Sequence, residues 1–173
     1  MRSISEAVVR AIPQARQLGD WLTARLESGG MCFVIGNGGS ALLAEHVAAD
    51  SFNSRFAGRV RAMPSDAGVR SMLVNDIGWH AALASWLEVV AREGDTLLVI
   101  STSGGADRSS NLVTAANGAR RASLGVGALL PAQPTPLAGV ADCACRIHAQ
   151  GATPDILESV FGSILHAITK SWI

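Results

Sequence analysis

The sequence predicts an α/β fold in which a parallel sheet is covered on both faces by helices. Three observations carry that prediction. Four short apolar runs punctuate the chain: MCFVIG (31–36), TLLVIS (96–101), ASLGVGAL (122–129) and DCACRIHA (142–149). Segments with helical periodicity alternate with them, as in βα units. Two of the runs end in Gly/Ser-rich turns that lead into helices, and in open α/β sheets ligands bind at that carboxyl edge.

Taken in order, residues 4–28 form a helix whose Ile4, Val8, Ile12, Leu18, Trp21, Leu22 and Leu26 can share a stripe, broken or bent near Pro13. Gly29–Gly30 ends it. MCFVIG reads as a strand buried on both faces. Residues 41–52 are helix-compatible, and TLLVIS is the next strand, with STSGG and a helix over 107–121 behind it. The third and fourth runs follow as strands. Residues 154–172 close the chain as a helix with Ile156, Val160, Ile164, Leu165 and Ile168 on one side. Segments 53–72 and 127–139 read as loops, and the basic stretch Arg55–Arg61 as a solvated loop or subunit contact. No linker, repeat or low-complexity stretch interrupts the 173 residues, so one domain over 1–173 is expected.

Composition excludes several function classes. Apolar residues make up 49% and charged ones 16%, enough for a large core and unlike a disordered chain. Net charge is zero and the basic residues form no runs, so a nucleic-acid surface is not indicated. No run of about 18 apolar residues predicts a membrane span. The N-terminus lacks the continuous apolar core of a signal peptide, being interrupted by Glu6, Arg10 and Arg16. Cys32, Cys143 and Cys145 read as reduced core cysteines, and cytoplasmic location is the expectation. His80 and His148 read as structural or exposed, and the four tryptophans as core or interface residues.

The chemistry concentrates in the two loops. GNGGS (36–40) follows the first strand directly, and its glycines let backbone N–H groups approach a ligand closely. The next helix adds its N-terminal partial charge, and Ser40 stands at about the N-cap with a hydroxyl donor. Such a loop suits a phosphate dianion without a cationic side chain. It is neither a Walker A loop nor GxGxxG. STSGG repeats the design, with Ser101, Thr102 and Ser103 placing three hydroxyls at a strand end. Elsewhere, His46 and Asp50 stand four apart on one helix, and Glu158 and His166 eight apart on another. Those spacings serve surface contacts as well as metal or acid–base pairs.

GNGGS, STSG some sixty residues later, then NDIG (75–78) and REGD (92–95), resemble the SIS (sugar isomerase) domain family, within it the phosphoheptose isomerase group. The resemblance covers the whole chain. It implies a three-layer αβα sandwich, flavodoxin-like, with a parallel sheet of about five strands plus an N-terminal helix. It implies homotetramers with active sites shared between subunits. Ser40, Ser101, Thr102 and Ser103 match phosphate ligands, with Gly38 and Gly39 in the first loop. Asn37, Asp76 and Asp155 match positions that approach the sugar hydroxyls. The family pattern continues STSGNS, and Gly105-Ala106 here replace Asn-Ser, which removes one hydroxyl unless Ser109 or Ser110 supplies it.

The resemblance also implies a zinc quartet of His46, Asp50, Glu158 and His166, where the family has His, Glu, Gln and His. Imidazole and carboxylate both suit zinc. The implied reaction is aldose–ketose isomerisation through a cis-enediol, converting sedoheptulose 7-phosphate to D-glycero-D-manno-heptose 7-phosphate or a close heptose phosphate. His166 is the first choice of base and Asp50 the second, because imidazole titrates near working pH. The partners implied are the phosphorylated ketoheptose and aldoheptose, with no nucleic acid and no membrane. The second reading is a non-catalytic, sugar-phosphate-binding or DnaA-associating regulator, which would keep the loops and dispense with the acid–base side chains.

Overall fold

The computed structural model describes residues 4–63, 66–149 and 151–173. Its elements run α1 (Ile4–Glu27), β1 (Cys32–Ile35), α2 (Gly39–Ser51), β2 (Val60–Ala62), α3 (Ala67–Ile77), α4 (Trp79–Val90), β3 (Thr96–Ile100), α5 (Ser110–Arg121), β4 (Gly125–Pro131), β5 (Cys143–Ile147) and α6 (Pro154–Lys170). The five strands are parallel, in the order β2-β1-β3-β4-β5. Chain direction reverses across the sheet between β1 and β3, and the loops that follow these two strands are GNGGS and STSGG.

Strand alternation divides the interior into two cores. Cys32, Val34, Leu98, Ile100 and Leu129 face α1, α2 and α6. Phe33, Ile35, Leu97, Val99, Val126, Ala128 and Leu130 face α4 and α5. The expected three layers are therefore present. At about 25 cal/mol per Å² of apolar surface removed from water, these cores are the main source of stability. The carboxylate of Asp95, almost buried, pins the loops before β1 and β3 by accepting from the N–H of Met31 (2.7 Å) and of Arg92 (2.8 Å).

Several sequence expectations need correction. Helix α1 runs unbroken through Pro13. Its N-terminal half buries Ala7, Ala11 and Ala15, leaving Ile4 and Ile12 exposed, because small side chains let the helix lie close to its neighbours. Segment 53–72 is not a plain loop: it holds the edge strand β2 and the start of α3. Three-residue β2 was hidden in a basic stretch. Arg59 there binds the carbonyls of Leu26 and Gly30 at 2.6 Å, and Arg55 pairs with Glu27 at 2.9 Å. The third apolar run begins its strand at Gly125 and continues to Pro131. Trp86 and Trp172 are core residues, one of the two expected placings, and Trp79 is 45% exposed in the single chain. All three cysteines are free and buried. No helix among the described residues is long and apolar enough to cross a membrane.

Candidate active site

The first loop is shaped by close approach. A β-carbon on Gly36 would lie 2.6 Å from the backbone carbonyl of Ser40, so only glycine permits this fold. Gly38 has φ of +55° and is the residue capping α2. Helix α2 starts at Gly39, so Ser40 is its second residue rather than its N-cap. Ser40 is buried at 3% exposure and its N–H donates to the carbonyl of Asn37 at 3.1 Å. The loop thus turns its backbone and the start of α2 towards the carboxyl edge.

The second loop is braced through its first serine. Ser101 is buried, and its Oγ accepts from the N–H of Gly105 at 3.2 Å while lying 3.3 Å from Ser103 Oγ. Gly104 and Gly105 have φ of +65° and +84°. Ser103 is exposed and Thr102 half-buried, on a base fixed by Ser101. A short 3-10 turn (Asp107–Ser109) separates this loop from α5, which therefore starts at Ser110 rather than near 107. Ser109 caps α5, and Ser110 Oγ lies 3.1 Å from His80 Nδ1. Asn111 Nδ2 donates to Asn37 Oδ1 (3.1 Å) and Asn37 Nδ2 to Asn111 Oδ1 (2.9 Å), joining the two loop regions.

A second chemical centre lies between α2 and α6. Asp50 Oδ2 is 3.2 Å from His166 Nδ1 and accepts from Thr169 Oγ1 at 3.2 Å. Its other oxygen lies 3.6 Å from His46 Nε2. The two imidazoles stand edge to face, with centroids 4.8 Å apart. The side chains of His46 and His166 are each about half exposed, at 53%, and that of Asp50 is 31% exposed. Ligand atoms of His46, Asp50 and His166 all lie within 4.8 Å of one another. Two imidazoles and a carboxylate at that separation suit a zinc ion with ligand distances of about 2 Å.

Glu158, expected as a fourth ligand, is outside this group. Two turns nearer the start of α6, it places its carboxylate over Gly39, closer than 3.0 Å to where a β-carbon there would sit. Helices α2 and α6 pack together with Glu158 over Gly39 at their starts and His166 against Asp50 at their ends. At about 1.5 Å of rise per residue, Glu158 and His166 are roughly 12 Å apart along α6.

Other expected residues are placed less tightly. Asp76 is exposed at the end of α3 and accepts from Asn75 Nδ2 at 2.8 Å. Asp155 is exposed in the first turn of α6, where a hydrogen bond from Thr153 holds its carboxyl below the usual range. Beside the first loop opens a cleft of about 200 Å³, lined by Asn37 and Gly38 together with Glu45, Arg70, Trp79 and Asn111. Those last four were not picked out from sequence. The NDIG turn put Trp79 near the site, but nothing local marked the other three.

Comparison with known proteins agrees with this fold. The family profile for the SIS domain matches residues 1–130. A phosphoheptose isomerase of Edwardsiella ictaluri is 35% identical over 88% of this chain and 78% of its own length. One from Streptomyces coelicolor is 36% identical over 76% of this chain, and the match spans only 57% of that relative. The solved phosphoheptose isomerase of Neisseria gonorrhoeae superposes with a TM-score of 0.85, covering 98% of this chain and 91% of that one at 23% identity. With two Gly/Ser loops at the sheet's switch point and a His–Asp–His group at the far ends of α2 and α6, the chain belongs to the SIS domain family, in its phosphoheptose isomerase group.

Proposed function

We propose that this protein is a sugar-phosphate isomerase that interconverts sedoheptulose 7-phosphate and D-glycero-D-manno-heptose 7-phosphate. The observation that carries the reading is the pairing of two centres. Loops after β1 and β3 can offer N–H groups and hydroxyls to a phosphate, and the His46–Asp50–His166 group lies at the far end of the α2–α6 pair whose start adjoins the first loop. The relatives' names supply the heptose phosphate as the substrate class.

The reaction needs a proton taken from C1 of the ketose and one delivered to C2. His166 fits the first task. Its Nδ1 can donate to Asp50, which leaves Nε2 as the basic nitrogen, the arrangement by which a carboxylate fixes an imidazole tautomer. As C1 loses its proton, the C2 carbonyl oxygen gains one and a cis-enediol forms. Return of a proton to C2 with loss of the O1 proton gives the aldose. His46, Asp50 and His166 are the residues that would hold zinc, which would supply polarisation of the carbonyl; His166 cannot ligate it and act as the free base at once, so while His166 takes the proton the ion would rest on His46 and Asp50. Thr169, bonded to Asp50 Oδ2, keeps that carboxylate oriented in either state.

A homotetramer with shared sites is part of this proposal. Helix α3 contains no buried residue although Val69, Met72 and Ile77 are apolar and exposed, which suits a subunit contact. The test of function is incubation with sedoheptulose 7-phosphate, with and without added zinc, followed by NMR. Aldoheptose 7-phosphate is expected to form. No product under either condition, with phosphate still bound, would leave a non-catalytic sugar-phosphate-binding protein.

A further inference from the structure

Asn111 sits at the second position of α5 and is completely buried. A buried primary amide must find partners for its donors and its acceptor or lose their hydration without return. Asn111 finds them in Asn37, and the two amides bond in both directions across 74 positions of sequence. Among the described residues, these are the only side-chain hydrogen bonds between the first loop and the second loop with its helix.

The phosphate site proposed above has no cationic side chain among its matched ligands, so it depends on directed N–H and O–H donors. Such bonds weaken steeply when their angles fall towards 120° or their lengths grow. Backbone groups come from the first loop and hydroxyls from the second, and they can serve one phosphate only if the loops keep a fixed separation. We propose that Asn111 is a positioning residue for phosphate binding: the Asn37–Asn111 pair locks the GNGGS loop to the start of α5 so that both loops act as one anion receptor. One N–H and one lone pair of the Asn37 side chain are thereby committed to the partner loop. The inference rests on the reading of the two loops as the phosphate site.

The test measures inorganic phosphate binding by calorimetry in wild type, Asn37→Ala, Asn111→Ala and the double variant, with thermal melts as the control for folding. Inorganic phosphate is the chosen probe because it has no sugar hydroxyls. Each single variant is expected to lose about tenfold in affinity, the scale of one or two hydrogen bonds. The double variant should lose no more than the weaker single, because either change already breaks the pair. In turnover assays KM should rise while kcat holds. Asn37→Ala lies in the half-buried loop and keeps the test decisive if the buried variant fails to fold. Wild-type affinity in a folded Asn37→Ala or Asn111→Ala would overturn the proposal, as would losses that add in the double variant. A wild-type protein that binds no phosphate would overturn the two-loop reading and this proposal with it.

Discussion

Asp50 meets both histidines, with one oxygen near His46 and the other shared by His166 and Thr169. Removing its charge while keeping its shape is therefore informative. Asp50→Asn can present an amide N–H to His166 Nδ1 and so favours the wrong tautomer. A fall in kcat of about 10² or more is expected with little change in melting temperature, since the site is half exposed. His166→Ala should lose turnover to a similar or greater degree while phosphate binding persists. Sequence made this group legible through the four-residue spacing of His46 and Asp50, which helix geometry turns into one face. Sequence could not show that Glu158 falls short of it. The eight-residue spacing puts Glu158 and His166 on the same face, but the distance along α6 puts the carboxylate at Gly39 instead. Asn111 was invisible because its meaning depends on a partner 74 positions away.

The cysteines give a prediction in pH. Burial pushes the thiols of Cys32 and Cys145 up to about 12, with smaller contributions from Asp95 and from Cys143 respectively. In the unfolded chain both would ionise near 8.5. The folded state thus holds more protons in that window, so the stability these thiols contribute is complete below about pH 8.5 and lost as pH climbs towards 12. Melting temperature should fall over that range, and Cys32→Ala should flatten the fall. Iodoacetamide at pH 8 should leave Cys32 unmodified in the native protein and modify it on denaturation, as mass spectrometry would show.

At the scale of elements, the loops impose stricter demands than the helices around them. Gly36→Ala drives a methyl group into the backbone of Ser40, which cannot step aside. Phosphate binding should be lost, with destabilisation of about 1–3 kcal/mol measured by denaturant titration. Gly39→Ala meets only the end of the Glu158 side chain, which can rotate away, so it should be milder. If Gly39→Ala proved as damaging as Gly36→Ala, the distinction between backbone and side-chain obstruction would be wrong. Strands β1, β3, β4 and β5 were legible as short continuous apolar runs, and helices α1, α2, α5 and α6 as the helix-compatible stretches beside them. Strand β2 was not, being three residues at the edge with one outward arginine. Helix α3 fully buries no residue and only Leu73 packs against the second core, so its apolar pattern had little core to report.

For the whole molecule, the order β2-β1-β3-β4-β5 explains why the site lies where it does. Only between β1 and β3 do neighbouring loops diverge to opposite sides of the sheet and leave a crevice. The two-layer helix cover was readable from the doubly buried strands, whereas strand order had to come from three dimensions. The proposed function turns on proton transfer through an enediol at the His166–Asp50 pair. Because the His166 side chain is about half exposed, a proton held there should exchange with solvent before it returns to carbon. The most direct measurement is turnover of sedoheptulose 7-phosphate in D2O, with NMR of the aldoheptose 7-phosphate formed. Deuterium is expected at C2 of the product, and no product from His166→Ala. Unlabelled product, or labelled product made at the wild-type rate by His166→Ala, would contradict the proposed function.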